Sequence, residues 1–185
     1  MSGAAEASGE EWFDVVDERD RVVGRAPRSR VHREGLRHRA VHVLVFNRRG
    51  EIFLQQRSLA KDDFPGAWDS SAAGHVSSGD DYLPTVVREV GEELGVALDG
   101  PGVELFRLEA SPETGWEFCR VHLVFHEGPF VLQASEVRGG GWFPPEAVDQ
   151  WIERRPDDFS SAFRRIWTLL DRAAIGRLCG ITANP

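Results

Sequence analysis

The sequence is nearly without lysine: 21 of its 22 basic residues are arginine, and Lys61 stands alone. It has only two cysteines, Cys119 and Cys179, with no paired spacing around them. A disulfide framework is not expected, and a reducing compartment is. No apolar run approaches the roughly 20 residues that a membrane span needs. The opening stretch "MSGAAEASGEE" has neither the basic start nor the apolar segment of a secretory signal. These absences lead to the expectation of a cytoplasmic protein with no membrane partner. Positive charge is also in deficit, since the formal net charge is −8. That argues against a groove for a nucleic-acid polymer built on general basicity. A surplus of acid commonly serves solubility, and it also suits a protein that recruits cations.

What is present fits one soluble domain of 185 residues, with 41% apolar and 28% charged residues. Residues 1–10 are small and polar and are expected to be disordered. Residues 11–176 are expected to form the single domain, followed by a tail over 177–185. Within it, 11–30 read as an N-terminal β-hairpin around the acidic turn at Asp17 to Asp20. "HRAVHVLVFNRRGEIFLQQRS" is the clearest strand pair, with a turn at Asn47–Gly50. Residues 59–81 are rich in turn formers and read as a long loop, often a functional feature. Leu83, Val86, Val87, Val90 and Leu94 then fall at helical offsets, with Asp80 or Asp81 as a cap and Gly95 as the stop. Two further strand patterns cover 103–111 and 116–128. The chain closes with a helix begun by Pro144 and Pro145 and an amphipathic helix over 156–176. This order suits an α/β fold, a mixed sheet sandwiched between helices.

Glu89, Glu92 and Glu93 fall within five positions of the central helix. At about 100° per residue, all three lie along one edge of the apolar stripe. Like charges at such spacings repel, and partial burial raises one another's pKa. A hard divalent cation, Mg²⁺ or Mn²⁺, reverses that penalty. Taken alone, acidic pairs on helices more often mark a solvated face.

The flanking residues sharpen the choice. Gly74, Asp80, Arg88, Glu89, Val90, Glu92, Glu93, Gly95 and Val96 resemble the signature of the Nudix family, with Asp80 standing where the family places glutamate. The resemblance implies a Nudix α/β/α sandwich with a mixed β-sheet and the N-terminal β-hairpin as an extension. It implies that Glu89, Glu92, Glu93 and the Gly74 carbonyl hold Mg²⁺, that Arg88 orients the acidic groups rather than touching substrate, and that Asp80 has a structural, orienting role. Glu92, or Glu136 from a later loop, would be the catalytic proton acceptor. Asp80, one methylene short, is expected to weaken the loop rather than abolish metal binding.

The stretch "RSLAKDDFPGAWDSSAAGHV" resembles a narrower group, the Nudix proteins related to type 1 isopentenyl-diphosphate isomerase. That likeness implies that Arg57 and Lys61, four residues apart, clamp a diphosphate. His38 and His75 match its metal-binding histidines by position and are taken here as substrate-binding, whereas His32 falls one residue out of register. Glu117 and Cys119 match a Glu-x-Cys strand, and Gly115 replaces a further glutamate ligand. Ala73 stands where the isomerase has its catalytic cysteine, so one face of a double bond would lack a proton carrier. Phe64, Trp68 and Trp116 are candidates to stack on a base. The expected activity is Mg²⁺-dependent cleavage of a diphosphate linkage in a nucleoside-diphosphate derivative or similar small molecule. The alternatives are an isoprenoid-diphosphate isomerase and a non-catalytic diphosphate-binding module. A homodimer, common in the family, stays open.

Overall fold

A computed structural model of the chain describes residues 10–178, so the expectations for 1–10 and 177–185 fall almost wholly outside the described residues. Strands β1 (Trp12–Val16) and β2 (Val22–Pro27) form a separate antiparallel hairpin. Its turn is built by Asp17, whose carboxylate accepts from the amides of Arg19 at 2.9 Å and Arg21 at 3.0 Å. The hairpin stops at Pro27, short of the expected residue 30. Pro27 precedes helix α1 (Arg28–Glu34), which ends at Gly35 in the left-handed region.

The main sheet has seven strands. Its centre is β3 (His38–Phe46), followed by β4 (Ile52–Arg57) across the expected turn. The stretch read as a long loop contains two short strands, β5 (Trp68–Asp69) and β6 (Ala72–His75). Helix α2 (Tyr82–Leu94) follows, then β7 (Val103–Leu108), β8 (Glu117–Phe125) and β9 (Val137–Phe143). β3 and β8 run parallel, in register from His38–Glu117 to Phe46–Phe125, and the other pairs are antiparallel. One edge of β3 is shared. Residues 40–43 pair with β6 and residues 45–46 pair with β4. At the parting, the Ser71 hydroxyl accepts from the Val45 amide at 2.7 Å and donates to the Phe53 carbonyl. The sheet therefore splays open there, and the cavity described below lies beside the opening.

Both faces of β3 are buried, which explains its mixture of alternation and continuous apolarity. Val41, Val43 and Val45 face α2 through Val86, Val90 and Leu94. Ala40, Leu44 and Phe46 share the opposite core with α3 (Pro145–Arg154), α4 (Ser161–Leu169) and α5 (Arg172–Leu178). This is the expected α/β/α arrangement with its hairpin extension. Two local expectations need correction. Leu83 is exposed, and Tyr82 takes the inward place because Tyr82, Val86, Val90 and Leu94 repeat every four residues. The single closing helix is broken into a 3₁₀ turn at Pro156–Asp158 and the helices α4 and α5. Side-chain caps set both restarts: Ser160 Oγ accepts from the Phe163 amide at 3.1 Å, and Asp171 Oδ1 from the Ala174 amide at 3.0 Å. No helix among the described residues is long and apolar enough to cross a membrane.

Candidate active site

Helix α2 begins at Asp81, whose carboxylate accepts from the Tyr82 amide at 2.7 Å, and ends at Gly95 in the left-handed region. The cap is therefore Asp81, and Asp80 sits exposed in the preceding turn. Glu89 and Glu93 do not run beside the buried stripe as the helical wheel suggests; they lie within it, 7% and 3% exposed. Glu92 is separated from them and exposed, with its carboxylate 2.9 Å from Arg88 Nη1. Arg88 also reaches Glu89 at 2.8 Å and donates to the His75 carbonyl at 3.0 Å, which ties the helix to β6.

The buried pair is unbalanced. Burial pushes the Glu89 carboxyl up to about 7, against the pull of Arg88. Burial and then the charge of Glu89 push Glu93 up to about 8, opposed by the Ala73 amide, Lys61 and Gln55. Glu93 Oε2 accepts from the Ala73 amide and from Gln55 Nε2, both at 3.0 Å. Gln55 was missed by sequence reasoning. Its signal was a polar residue directly after the apolar run Ile52–Leu54, two positions on from the inward Phe53. Gly74 is packed against the Glu89 carboxylate so closely that a Cβ there would lie 2.0 Å from Glu89 Cδ. Oxygen donors, raised carboxyls and a glycine cradle fit a hard divalent cation.

The carboxylates open into a cavity of about 570 Å³ that also receives Arg28, Arg57, Lys61, His42, Asp69, Glu117 and Glu136. Arg57 is fixed, with Nη1 3.2 Å from Asp69 Oδ2 and with Nε and Nη2 on the Asp63 carbonyl at 3.1 and 2.9 Å. Lys61 is paired with Glu136 across the mouth. The expected clamp cation and the expected later-loop carboxylate are thus partners of each other. Arg28 was not anticipated; it comes from α1, and its Nη1 lies 3.4 Å from His75 Nδ1.

The histidines form a second cluster on the far wall. Ligand atoms of His32, His38 and His75 lie within 4.8 Å of one another. His32, one residue out of register in the sequence, is brought in because α1 packs through Val31 on Phe13 and Ala26 of the hairpin, whose strand β1 lies against β3. Glu117 Oε1 is 3.0 Å from His75 Nε2 and 3.6 Å from His38 Nε2. Burial holds His75 down to about 4 and also lowers His32. Burial would raise Glu117, but the nearby His38 and the hydrogen bond with His75 outweigh it and hold the carboxyl well below its ordinary range. Phe13 of the hairpin stacks on His38 and His75 and seals the cluster, a role the sequence did not disclose. Cys119 is buried with Sγ 3.7 Å from Glu117 Oε2. Of the three aromatic candidates, only Phe64 lines the cavity. Trp68 packs against Phe143 and Trp151, and Trp116 against Gly35 and Arg37.

An α/β/α domain whose central helix aims buried carboxylates at a cavity that also receives Arg28, Arg57 and Lys61 belongs with the enzymes that work on phosphate anhydrides. The comparisons agree. Residues 36–163 match the NUDIX domain model. An uncharacterised Nudix hydrolase of Yersinia pestis is 38% identical over 155 residues, covering 81% of this chain and 80% of that protein. The uncharacterised Nudix hydrolase YfcD of Escherichia coli is 33% identical over 150 residues, covering 81% of each. Among solved structures, the DR0079 protein of Deinococcus radiodurans has a TM-score of 0.69 and 31% identity over 78% of this chain and 90% of its own. The chain belongs to the Nudix family and is a hydrolase acting on diphosphate bonds.

Proposed function

We propose that the protein is a Mg²⁺-dependent pyrophosphohydrolase of a nucleoside-diphosphate derivative or a similar small diphosphate. The observation that carries this reading is the pair Glu89 and Glu93, both buried, Glu89 against Gly74 and Glu93 on the Ala73 amide, with Arg88 ion-paired to Glu89 alone of the two. Glu89, Glu92, Glu93 and the Gly74 carbonyl would hold Mg²⁺, and Mn²⁺ would substitute. When bound, the ion polarises the diphosphate and lowers the pKa of water. Arg57 is already fixed by Asp69 to receive a phosphate. Lys61 must exchange Glu136 for the incoming diphosphate. That exchange frees the Glu136 carboxylate to accept a proton, a task it shares with the more exposed Glu92.

The branch resembling type 1 isopentenyl-diphosphate isomerase is part of the proposal. The cluster of His32, His38, His75 and Glu117 supports it, and its donors fit a transition-metal ion. Hydrolysis is favoured over isomerisation because Ala73 offers no thiol and Cys119 is buried two strands away, across β3, with burial raising its thiol well above the ordinary range. The test is a panel of nucleoside-diphosphate derivatives with Mg²⁺, including ADP-ribose, plus isopentenyl diphosphate. ADP-ribose is the ligand of the Shewanella oneidensis NrtR domain, which shares the fold at TM-score 0.57 and 19% identity. Release of phosphorylated products from a nucleoside derivative supports the reading. Conversion of isopentenyl diphosphate to its isomer, with no hydrolysis of any member, would replace it.

A further inference from the structure

We propose that His42 is a specificity-determining residue that reads the group attached to the diphosphate, and that this group is polar at that point rather than an apolar chain. The inference rests on the diphosphatase reading above. His42 lies on β3 between Ala40 and Leu44, which enter the apolar core on the same face. Packing alone would be served there by another apolar residue. Instead a histidine, 4% exposed, lines the cavity floor. Its Nδ1 is 2.9 Å from Ser70 Oγ, which leaves Nε2 for a partner inside the cavity. The Glu117 carboxylate offers a ligand atom within 4.8 Å of the imidazole. An alkyl chain would strip water from these groups and return no hydrogen bond, whereas hydroxyls or ring nitrogens of a nucleoside-like group would pair with them.

The floor and the phosphate clamp share one support. Asp69, 2% exposed, accepts from Arg57 Nη1 through Oδ2 and from the Ser70 amide through Oδ1 at 2.8 Å. Asp69 Oδ1 also lies 3.9 Å from His42 Nδ1. Asp69 is therefore a positioning residue that sets the distance between the phosphate-binding guanidinium and the imidazole that reads the attached group.

The experiment compares wild type, His42→Phe, His42→Gln and Asp69→Asn with Mg²⁺, on ADP-ribose and on isopentenyl diphosphate. Rates and calorimetric affinities are both measured. His42→Phe should raise KM for ADP-ribose roughly 10- to 100-fold and leave the affinity for the alkyl diphosphate equal or higher. His42→Gln, which keeps a polar tip, should recover part of the loss. Asp69→Asn should raise KM for both ligands, because both use Arg57. Equal losses on the two ligands in His42→Phe, or none, would overturn the role of His42. So would a wild type that binds the two ligands equally or binds neither. A wild type that binds ADP-ribose in preference and hydrolyses nothing would sink the hydrolase reading and leave this inference standing. If His42→Phe does not fold, His42→Gln against wild type decides: a changed ratio of the two affinities supports the proposal, and an unchanged ratio overturns it.

Discussion

Replacing Gly74 by alanine tests the site with a single methyl group. The new Cβ would sit 2.0 Å from both Cδ and Oε1 of Glu89 and 2.4 Å from Oε2. Carbon atoms in contact prefer about 3.5–4.0 Å, so the carboxylate must retreat by roughly 1.5 Å. It is the far end of a flexible side chain, so the backbone of β6 and α2 need not move and the cost in stability should stay at the low end of overpacking, about 1 kcal/mol. Function should not be spared: a misplacement of about 1 Å at a catalytic constellation costs on the order of 100-fold. Gly91→Ala is the matched control. It lies in the same helix, its Cβ would meet nothing nearer than 3.7 Å, and helix propensity favours it by about 1 kcal/mol. Steady-state rates across a magnesium titration, with thermal melting on the same samples, read both effects. We expect Gly74→Ala to be folded and about 100-fold slower with a higher magnesium requirement, and Gly91→Ala to match wild type. A Gly74→Ala protein of full rate and unchanged magnesium dependence would refute the placement of Glu89 at the reacting centre.

Glu93→Gln should cut hydrolysis by about two orders of magnitude or more. Its amide oxygen can still accept from the Ala73 amide and Gln55, so its melting temperature without metal should not fall; a matching rate would mean the wrong carboxylate has been named. Without metal, the carboxyls of Glu89 and Glu93 are raised to about 7 and about 8, so the folded state holds their protons more tightly than the unfolded chain. Their contribution is therefore fully present below about pH 4.5 and is lost as pH rises through 7 and 8, on the order of a few kcal/mol. Urea unfolding in chelator at pH 5 and pH 9 should show wild type losing more stability than the Glu89→Gln/Glu93→Gln double variant, and parallel curves would contradict this. Phe13→Ala should cost about 3–5 kcal/mol of unfolding free energy by opening the seal over His38 and His75, measured by the same unfolding.

The elements of this fold announce themselves where local chemistry is strong. The Asp17 turn, the cap and stop of α2 and the valines of β3 are all stated by residue type and spacing. What the sequence hides is the effect of distant packing. The burial of Glu89 and Glu93 depends on β4 and β6 meeting their helix, so a helical wheel places them at an edge. His32 joins its cluster only because an unanticipated helix follows Pro27. The division of the closing helix depends on two short side-chain caps that a periodicity reading passes over. The pairing of Lys61 with Glu136 joins residues 75 apart in sequence, and nothing local foretells it.

Calorimetric titration with magnesium, in the presence of a diphosphate analogue whose bridging oxygen is replaced by methylene, bears most directly on the metal reading. Wild type should take up the ion, and the Glu89→Gln/Glu93→Gln double variant should not. No uptake by wild type, or equal uptake by both proteins, would contradict the assignment of the ion to the α2 carboxylates.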